Sequence, residues 1–204
     1  MLIGSIRQTS PGRLTVCLED GTEIKSTLGV VTDMRLFNGR ELDEETVGLL
    51  RKNSERALLR EKALEYVSRR QMSHKELKDK LLQKGADEDA ADYAVQWLSE
   101  NGFINEEYYA GAIARHYTAK GYGQGRIRAE LRRRGLGKEL SEDAINELPE
   151  DTTKIDKFIS SRLTDPDDRQ QVQKISAALY RRGFSWDEIR SAMRRFSAGD
   201  GEYE

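Results

Sequence analysis

Residue types that support several common kinds of site are scarce in this sequence. The 204 residues include one cysteine, two histidines and three prolines. A single cysteine, Cys17, cannot form an internal disulfide, and such usage is typical of the reducing cytosol. His74 and His116 stand in no metal-binding motif, and the position of His116 beside Tyr117 indicates packing. The sequence therefore predicts neither a zinc site nor a disulfide framework.

Long apolar runs and enzyme motifs are also missing. Hydrophobic residues make up 37% of the chain and charged residues 34%, and no run reaches the roughly 18 residues of a membrane span. The opening stretch Met1–Ser5 has no long apolar run, so we expect no signal peptide. No nucleophile elbow or P-loop occurs, and no paired catalytic carboxylates stand out. We expect a cytoplasmic protein that is not an enzyme and needs no cofactor or metal.

One helix ending occurs three times in the chain. Each copy has apolar residues at i and i+4, then a cation, then a glycine, at Gly85, Gly135 and Gly183. Glycine accepts the left-handed backbone that closes a helix, and the cation complements the partial negative charge of the last carbonyls. Spacings of 50 and 48 residues between the glycines are typical of helical repeat proteins, which work by presenting a surface. The apolar pairs are Leu77 and Leu81, Ile127 and Leu131, and Ile175 and Leu179.

The repeated register continues after each glycine, so each unit is predicted to contain three helices. Apolar residues recur ten and thirteen positions later, at Val95, Ile145, Met193, Leu98, Leu148 and Phe196. Their spacing predicts inter-helix core, and we interpret Trp97 and Trp186 as packing residues too. Ser73 and Asn105 are candidate helix caps. The predicted helices cover 56–70, 74–84, 88–100, 106–119, 124–134, 140–148, 152–163, 167–182 and 186–196.

The first 54 residues have a different pattern. The stretches Leu14–Leu18 and Thr22–Lys25 predict a β-hairpin, and Asp43 is a candidate cap for a short helix. So short a hairpin is unstable alone, and we expect it to pack on another element. The predicted fold is mainly α, with three tandem three-helix repeats in an elongated curved array behind a small β-hairpin/helix module. The predicted divisions are 1–54, 55–102, 103–150 and 151–197, followed by a flexible tail at 198–204.

Charge is segregated along the chain, although the formal net charge is only −2. The segment 115–138 holds eight cations against one acid, Glu130, whereas 86–107 and 139–151 hold acids without Lys or Arg. Arginine suits phosphate and carboxylate through its planar fork, so the cluster is consistent with an anionic partner. A solvated face that pairs with the acidic segments is an equally good interpretation. The candidate contact residues are Arg115, Lys120, Tyr122, Arg126, Arg128, Arg132, Arg133, Lys138, Arg190, Arg194 and Arg195.

Two other features have structural interpretations. Arg134 lies near the apolar seam, as Lys84 and Arg182 do, so we expect its stem to lie along the core at the helix end. The glycine-rich stretch 121–125 follows no predicted strand and lacks the lysine of a P-loop. We interpret it as a flexible joint between helices.

In their order and spacing, these stretches resemble the RecX family, regulators of bacterial RecA recombinase. The resemblance covers about residues 57–196 and is carried by Ala63–Arg70, Ser73–Leu77, Leu81–Gly85, Trp97–Glu106, Gly121–Gly123, Arg126–Ile127, Glu130–Gly135, Arg181–Ser185 and Asp187–Ile189. It implies a protein that binds the RecA–DNA filament and limits its extension, ATPase, strand-exchange and coprotease activities. Homologous recombination, DNA repair and the SOS response would then be its setting.

The resemblance also implies a curved helical protein, which we expect to be monomeric, lying in the filament groove. Some members of the family bind single- or double-stranded DNA as well. The slightly acidic net charge of this chain predicts weak affinity for DNA by itself. A stand-alone helical DNA-binding or transcription-regulatory module is the alternative, since helix pairs with an arginine-rich second helix occur in such proteins.

Overall fold

The computed structural model describes residues 1–149 and 151–197 and contains a three-stranded sheet and ten helices in those ranges. The chain forms two compact units, of which the first ends at Asn105 and the second begins at Glu106. Among the helices of the described ranges, none has the length and apolar character needed to cross a bilayer. The tail that we expect to be flexible, 198–204, lies outside the described residues.

The first unit begins with an antiparallel sheet in the order β1-β2-β3. Strands β2 and β3 form the predicted hairpin, but the pattern missed β1 because its outer half is exposed on both faces and shows no apolar alternation. The strands are β1 (Ile3–Ser10), β2 (Arg13–Leu18) and β3 (Glu23–Thr27). The helices of this unit are α1 (Leu28–Asp33), α2 (Glu44–Arg69), α3 (His74–Gln83) and α4 (Glu88–Glu100).

Helix α2 is one uninterrupted helix of 26 residues, so the prediction of two separate helices in this region was wrong. Asp43 caps it as predicted, accepting a hydrogen bond from the backbone N–H of Thr46 at 2.7 Å. Residues 51–55 contain no glycine or proline, and nothing ends the helix there. Because Ala57 packs under the sheet and Ala63 packs with α3 and α4, α2 serves two hydrophobic cores. The predicted division after residue 54 falls inside this helix.

As expected, the hairpin packs on another element of the chain: the sheet packs on α2 through β3. Ile24 and Val16 lie in the core between the sheet and the helix. A hydrogen bond of 2.8 Å joins the hydroxyl groups of Ser54 and Ser26, and both side chains are buried. Buried hydroxyl groups need a partner, so this bond fixes the register of the sheet against the helix.

The second unit contains two three-helix repeats with separate cores. Ile127, Leu131 and Ile145 lie at the centre of the first core, and Ile159 and Leu179 at the centre of the second. The helices are α5 (Glu106–Ala119), α6 (Gln124–Arg133), α7 (Lys138–Asn146), α8 (Thr153–Ser160), α9 (Arg169–Arg181) and α10 (Trp186–Ser197). The prediction of three three-helix repeats, two here and one over α2–α4, is confirmed.

The central helix of every repeat closes in the same way. The backbone is left-handed at Gly85, Gly135 and Gly183, with φ angles of +84°, +81° and +91°. The residue after each glycine donates its N–H to the carbonyl of a leucine five positions earlier, and that leucine is fully buried. These bonds join Ala86 to Leu81 (3.1 Å), Leu136 to Leu131 (3.1 Å) and Phe184 to Leu179 (3.2 Å). The repeated sequence motif is therefore a repeated helix stop.

The Ser26–Ser54 bond can be tested by a double-mutant cycle. We expect Ser54→Ala to lower the free energy of unfolding by about 1–2 kcal/mol, because the Ser26 hydroxyl is left buried without this partner. Ser26→Ala combined with Ser54→Ala should cost less than the sum of the single changes. Urea denaturation of the four proteins measures this coupling. Additive single changes would contradict the packing of β3 on α2 through this contact.

Candidate anion-binding groove of the second unit

Helix α6 carries four of the eight candidate arginines, and its buried residues determine where they point. Ile127 and Leu131 are buried at i and i+4, so the positions between them face neighbouring helices or solvent. The N-cap is Gly123, which offers no side chain, and the first turn holds no acid. Glu130 is the one acid within α6, so its other arginines depend on other elements for carboxylate partners, and the structure provides such partners for only some of them.

Arg128 is neutralised by Glu142 of α7. Its Nε lies 2.8 Å from Oε1 and its Nη2 lies 2.9 Å from Oε2 of Glu142, which is a bidentate pair. Nη2 also donates to Oε1 of Gln124 at 3.1 Å. Hydrogen bonding from Arg128 lowers the pKa of the Glu142 carboxyl below its usual value. At this position, the acidic segment pairs with the basic one and connects α6 to α7.

Glu130 is buried and binds two arginines at the end of α6. It accepts from Arg133 Nη2 at 2.6 Å and from Arg134 Nε at 2.7 Å. The guanidinium of Arg134 also lies over the ring of Tyr109, 5.6 Å from its centroid, and donates to its hydroxyl. The hydrogen bond from Arg133, aided by Arg134 and opposed by burial, lowers the pKa of Glu130 to about 2. Arg134 thus has the structural role at the helix end that its sequence position predicts.

The remaining candidate cations of the second unit differ in their pairing. Arg190 pairs with Asp187, and Arg195 of α10 pairs with Asp156 of α8. A larger group is exposed and makes no ion pair within residues 1–149 and 151–197. That group consists of Arg115, Lys120, Arg126, Arg132, Lys138 and Arg194. Of the candidate cations, only these six lack an ion pair among the described residues.

The cations that cluster in sequence do not line one groove. Arg115 lies over Gly111 and lines a groove between α5 and α7, together with Asp143 and Glu147. Arg126 lines a separate groove against α9 and α10. The loop between α5 and α6 thus separates residues that the sequence places in one basic stretch.

Backbone contacts join the glycine-rich loop 121–125 to the third repeat. The N–H of Gly123 donates to the carbonyl of Arg182 at 3.0 Å, and the N–H of Gly125 donates to the carbonyl of Gly183 at 2.9 Å. A Cβ at Gly123 would lie 2.5 Å from the carbonyl of Gly183, so no larger residue fits. The sequence predicted a flexible joint here, but hydrogen bonds to the next repeat hold its backbone in place.

Arg182 adds side-chain contacts to the same junction. Its guanidinium carbon lies 4.7 Å from the ring centroid of Phe158 and 5.7 Å from that of Tyr122. Its Nη1 donates to the carbonyl of Gly121 at 3.4 Å. The ring of Tyr122 also lies 5.4 Å from that of Tyr117, so this candidate residue packs within the junction.

An open groove of about 640 Å³ borders this junction, and we call it the junction groove. Arg126 and Arg128 of α6 line it, with Arg181 of α9 and Glu188 of α10. The Glu188 carboxylate accepts from the N–H of Ser185 at 2.7 Å at the start of α10, and its charge also acts on Arg128 across the groove. Arg126 and Arg181 come from consecutive repeats, and neither makes an ion pair in the described part of the chain. The groove therefore presents positive charge from two repeats.

Two exposed aromatic rings extend this surface. Tyr180 lines the junction groove and is 55% exposed, and Trp186 is 51% exposed. Their ring centroids lie 5.1 Å apart with planes inclined by 19°, a stacked arrangement. We interpreted Trp186 as a packing residue, and at the first position of α10 it packs on Tyr180 at the surface and not in the core that contains Ile189. Arginines beside stacked rings suit a ligand that is anionic and has flat surfaces.

The sequence pattern did not indicate Tyr180, Arg181 and Trp186 as possible contact residues. The helical spacing alone could have placed Tyr180 at the surface, because it follows the buried Leu179 by one residue, about 100° around the helix. No sequence signal places Arg181 and Arg126 in one groove, since this depends on the glycine junction. In the ranges that the structure describes, no group of three His, Cys, Asp or Glu side chains could hold a metal ion.

Three segments of the chain match models of one protein family. Residues 60–98 match the description "RecX, first three-helix domain", residues 105–145 match the second such domain and residues 160–193 the third. The first segment lies in the repeat that begins within α2, the second in the repeat that begins with α5, and the third in the repeat that begins with α8. The three-helix repeats seen in the structure are thus the units that the family models describe.

Individual proteins of known name are similar to the chain as well. It is 36% identical over 137 residues to regulatory protein RecX of Xanthomonas axonopodis pv. citri, a match that covers 66% of this chain and 85% of that protein. It is 28% identical over 138 residues to regulatory protein RecX of Vibrio parahaemolyticus, covering 66% of this chain and 88% of the relative.

Two crystal structures share the fold. One, of regulatory protein RecX, superposes with a TM-score of 0.78 at 24% identity, over 95% of this chain and 98% of that chain. The other, of RecX from Lactobacillus salivarius, superposes with a TM-score of 0.63 at 24% identity, over 71% and 97% of the two chains.

The glycine junction makes a steric prediction. Gly123 has a φ of −80°, which alanine also adopts, so Gly123→Ala tests only the clash with Gly183. We expect it to lower the free energy of unfolding by more than about 2 kcal/mol. The control is Gly48→Ala at an exposed position of α2, where nothing lies within 4 Å of the added methyl group. This change should raise the free energy of unfolding by up to about 1 kcal/mol. Equal effects of the two changes in urea denaturation would refute the tight contact.

Glu130 makes a pH prediction. Because its folded-state pKa of about 2 lies below the ordinary 4.5, its carboxylate stabilises the fold above pH 4.5, and this contribution is lost as the pH falls toward 2. We expect Glu130→Gln to lower the free energy of unfolding near neutral pH by on the order of 2 kcal/mol, and the deficit to shrink at about pH 3. Urea denaturation at both pH values measures this. The exposed Glu139→Gln is the control, and a deficit independent of pH would contradict the ionic role.

Proposed function

The chain belongs to the RecX family of regulatory proteins, and on that premise we propose that it regulates RecA recombinase by binding the RecA–DNA filament. The regulation that we propose is inhibitory: the bound protein limits filament extension and lowers the ATPase, strand-exchange and coprotease activities. It acts as a cytoplasmic monomer and has no catalytic role of its own.

The observation that carries this proposal is that Arg126 and Arg181, from consecutive repeats, both line the junction groove. Both guanidinium groups lack a carboxylate partner in the described residues, although the chain has 36 acidic side chains against 34 Lys and Arg. An excess of positive charge within a groove attracts a ligand of the opposite sign. A nucleoprotein filament offers phosphates and acidic protein side chains, and either group fits the fork of arginine.

The rigid connection between repeats supports a role in blocking growth of a filament. Gly123 and Gly125 hold the second repeat to the third by backbone hydrogen bonds, so the two sides of the junction groove keep a fixed geometry. A preorganised surface loses little entropy on binding. A bound protein of this kind occupies the surface to which the next recombinase subunit would add.

One observation favours the alternative, a stand-alone DNA-binding module. The exposed stack of Tyr180 on Trp186 beside arginines is an arrangement that single-stranded nucleic acid can use without any other protein. Tight binding to one duplex sequence without RecA would favour a transcription regulator. Weak binding that falls steeply with salt concentration would reflect general attraction to phosphate and would leave RecA as the specific partner.

The decisive measurement is a titration of RecA ATPase activity on single-stranded DNA. We expect the wild-type protein to lower ATP hydrolysis, and Arg126→Glu with Arg181→Glu to raise the half-inhibitory concentration about tenfold or more, because two arginine contacts are lost. The matched control is Arg169→Glu with Lys174→Glu on α9. Both of these residues are exposed and do not line the junction groove, and the charge change is the same.

Two outcomes would contradict parts of this proposal. A wild-type protein without effect on ATP hydrolysis at saturating concentration would refute the inhibition of RecA. Identical titration curves for the groove variant and its control would remove the junction groove as the contact site. Arg128→Glu is a poorer test than Arg126→Glu, because it places a carboxylate against Glu142 and disturbs the fold.

A further inference from the structure

Strand β3 forms an open edge of the sheet in the first unit, because β2 pairs with only one of its sides. The N–H of Leu18 donates to the carbonyl of Thr22 at 2.8 Å, and the N–H of Leu28 also donates across the hairpin. In an antiparallel pair, residues bonded to the partner strand alternate with residues whose N–H and C=O point away from it. By this alternation, Glu23 and Lys25 direct their backbone groups to the outer edge, and both side chains are exposed.

The opposite edge of the sheet, formed by β1, is covered. The N–H of Ile3 donates to the carbonyl of Arg40 at 3.0 Å, and the carbonyl of Ile3 accepts from the N–H of Gly39 at 2.7 Å. The N–H of Ile6 donates to the side chain of Asn38 at 2.9 Å. No such bond to another element protects the outer edge of β3 within residues 1–149 and 151–197. An unprotected edge strand is a template for pairing with a further strand.

A groove of about 880 Å³ runs beside this edge, and we call it the edge groove. One side of it is β3, and another is a stripe of α2 that contains Arg51, Glu55, Leu58 and Lys62. The stripe rises about 16 Å along the helix. A strand as long as the five residues of β3 spans about 17 Å, so a strand paired with β3 would lie along this stripe.

Leu58 gives the edge groove an apolar centre. It is half-buried and belongs to neither of the two hydrophobic cores that α2 serves in the described chain. Leu59 and Ala86 also line the groove, but they pack against the core of the first repeat. Among the described residues that line the groove, none has an aromatic ring. The lining therefore suits aliphatic side chains, and it offers no ring on which a nucleic-acid base could stack.

Cations line the edge groove, and most of them make no ion pair. Arg13 is paired, since it lies 3.0 Å from the carboxylate of Glu61. The charge of Asp20 acts on Arg51 without an ion pair between them. The lining cations that form no ion pair in the described part of the chain are Lys25, Arg51, Lys62 and Lys84.

The acids that line the edge groove offset this charge only in part. Glu23 pairs with Arg7 and Glu65 pairs with Arg69, and neither arginine lines the groove. Glu55 is the remaining acid of the lining. The groove therefore attracts an acidic ligand. The same excess of positive charge disfavours a second copy of this chain, because pairing of two β3 edges would bring two cationic grooves together.

We propose that the edge groove binds an extended acidic segment of a partner protein, which adds to β3 as a fourth strand. The backbone of the segment pairs with that of Glu23 and Lys25, and its apolar side chains contact Leu58. Its carboxylates approach Lys62 and Lys84. A polypeptide supplies both N–H donors and C=O acceptors to the edge, whereas a phosphodiester backbone supplies acceptors only.

This inference does not rest on the proposed function. Strand β3 and Leu58 lie outside the segments 60–98, 105–145 and 160–193 that match the family models. The junction groove lies in the second unit and shares no residue with the edge groove.

The first test leaves the protein unchanged and alters the ligand. Fluorescence anisotropy measures binding of a short labelled peptide in which glutamate alternates with valine to the full-length protein. Two further peptides carry backbone N-methyl groups, one on every glutamate and the other on every valine. Alternate residues of a strand direct their N–H groups to opposite edges, so only one set faces β3.

We expect one methylated peptide to bind about tenfold or more weakly than the parent, and the other to bind as the parent does. Equal affinities of the two methylated peptides, whether high or low, would overturn the addition of a strand.

The second test alters the groove. We expect Lys62→Glu to weaken binding of the parent peptide about fivefold or more, because it places a carboxylate beside the acids of the ligand. The control, Lys52→Glu, makes the same charge change at an exposed residue of α2 that does not line the groove. Leu58→Ala should weaken binding about threefold or more without a change of charge. Equal effects of the two lysine changes, or an unchanged affinity of Leu58→Ala, would contradict this site.

Competition distinguishes the possible occupants. Oligothymidine at equal charge concentration should not displace the peptide. Displacement together with equal affinities of the methylated peptides would show a general polyanion site and refute the proposal. Dimerisation of the protein that the peptide reverses, measured by sedimentation velocity, would make a second copy the occupant and refute it as well. The RecA ATPase titration is read separately, so failure of either proposal leaves the other intact.

Discussion

Each repeat depends on one backbone hydrogen bond. The residue after a left-handed glycine donates its N–H, and the carbonyl of a buried leucine accepts it. The bond reverses the chain within a few residues, so the third helix of the repeat returns to the core that the leucine occupies. A side chain at that glycine would be strained, because L-residues rarely adopt its positive φ. Since the bond uses only main-chain atoms, neighbouring side chains can differ between repeats without loss of the shared architecture.

The cation before each glycine illustrates this freedom. Lys84 is exposed, Arg134 binds Glu130 and packs on Tyr109, and Arg182 packs on Phe158 and contacts the loop 121–125. In the third copy, the glycine itself takes a second role, because Gly183 receives the backbone of the second repeat. A residue position that only ends a helix in the first repeat thus joins two repeats in the third.

Local pairing of charges, rather than net charge, defines the surfaces that can bind a partner. Glu142 and Glu130 neutralise several arginines of the second repeat and turn them into links between or within helices. Arg126 and Arg181 remain beside exposed rings in the second unit, and the cations of the edge groove remain beside an open strand in the first. The rings let a flat guanidinium contribute contact area as well as charge, whereas the open strand adds backbone hydrogen bonds.

The sequence alone determined the helical repeats, their stops and their buried stripes, because glycine conformation and the 3.6-residue period act locally. It also indicated the family and the structural role of Arg134. The continuity of α2, the strand β1, the surface position of Trp186 and the division of the arginines into paired and unpaired groups were decided by the tertiary structure. Each of these depends on contacts between residues distant in the chain, such as Gly123 with Gly183 or Arg128 with Glu142. Spacing along a chain carries no information on which distant carboxylate or backbone a side chain will meet, because that depends on how separate helices pack.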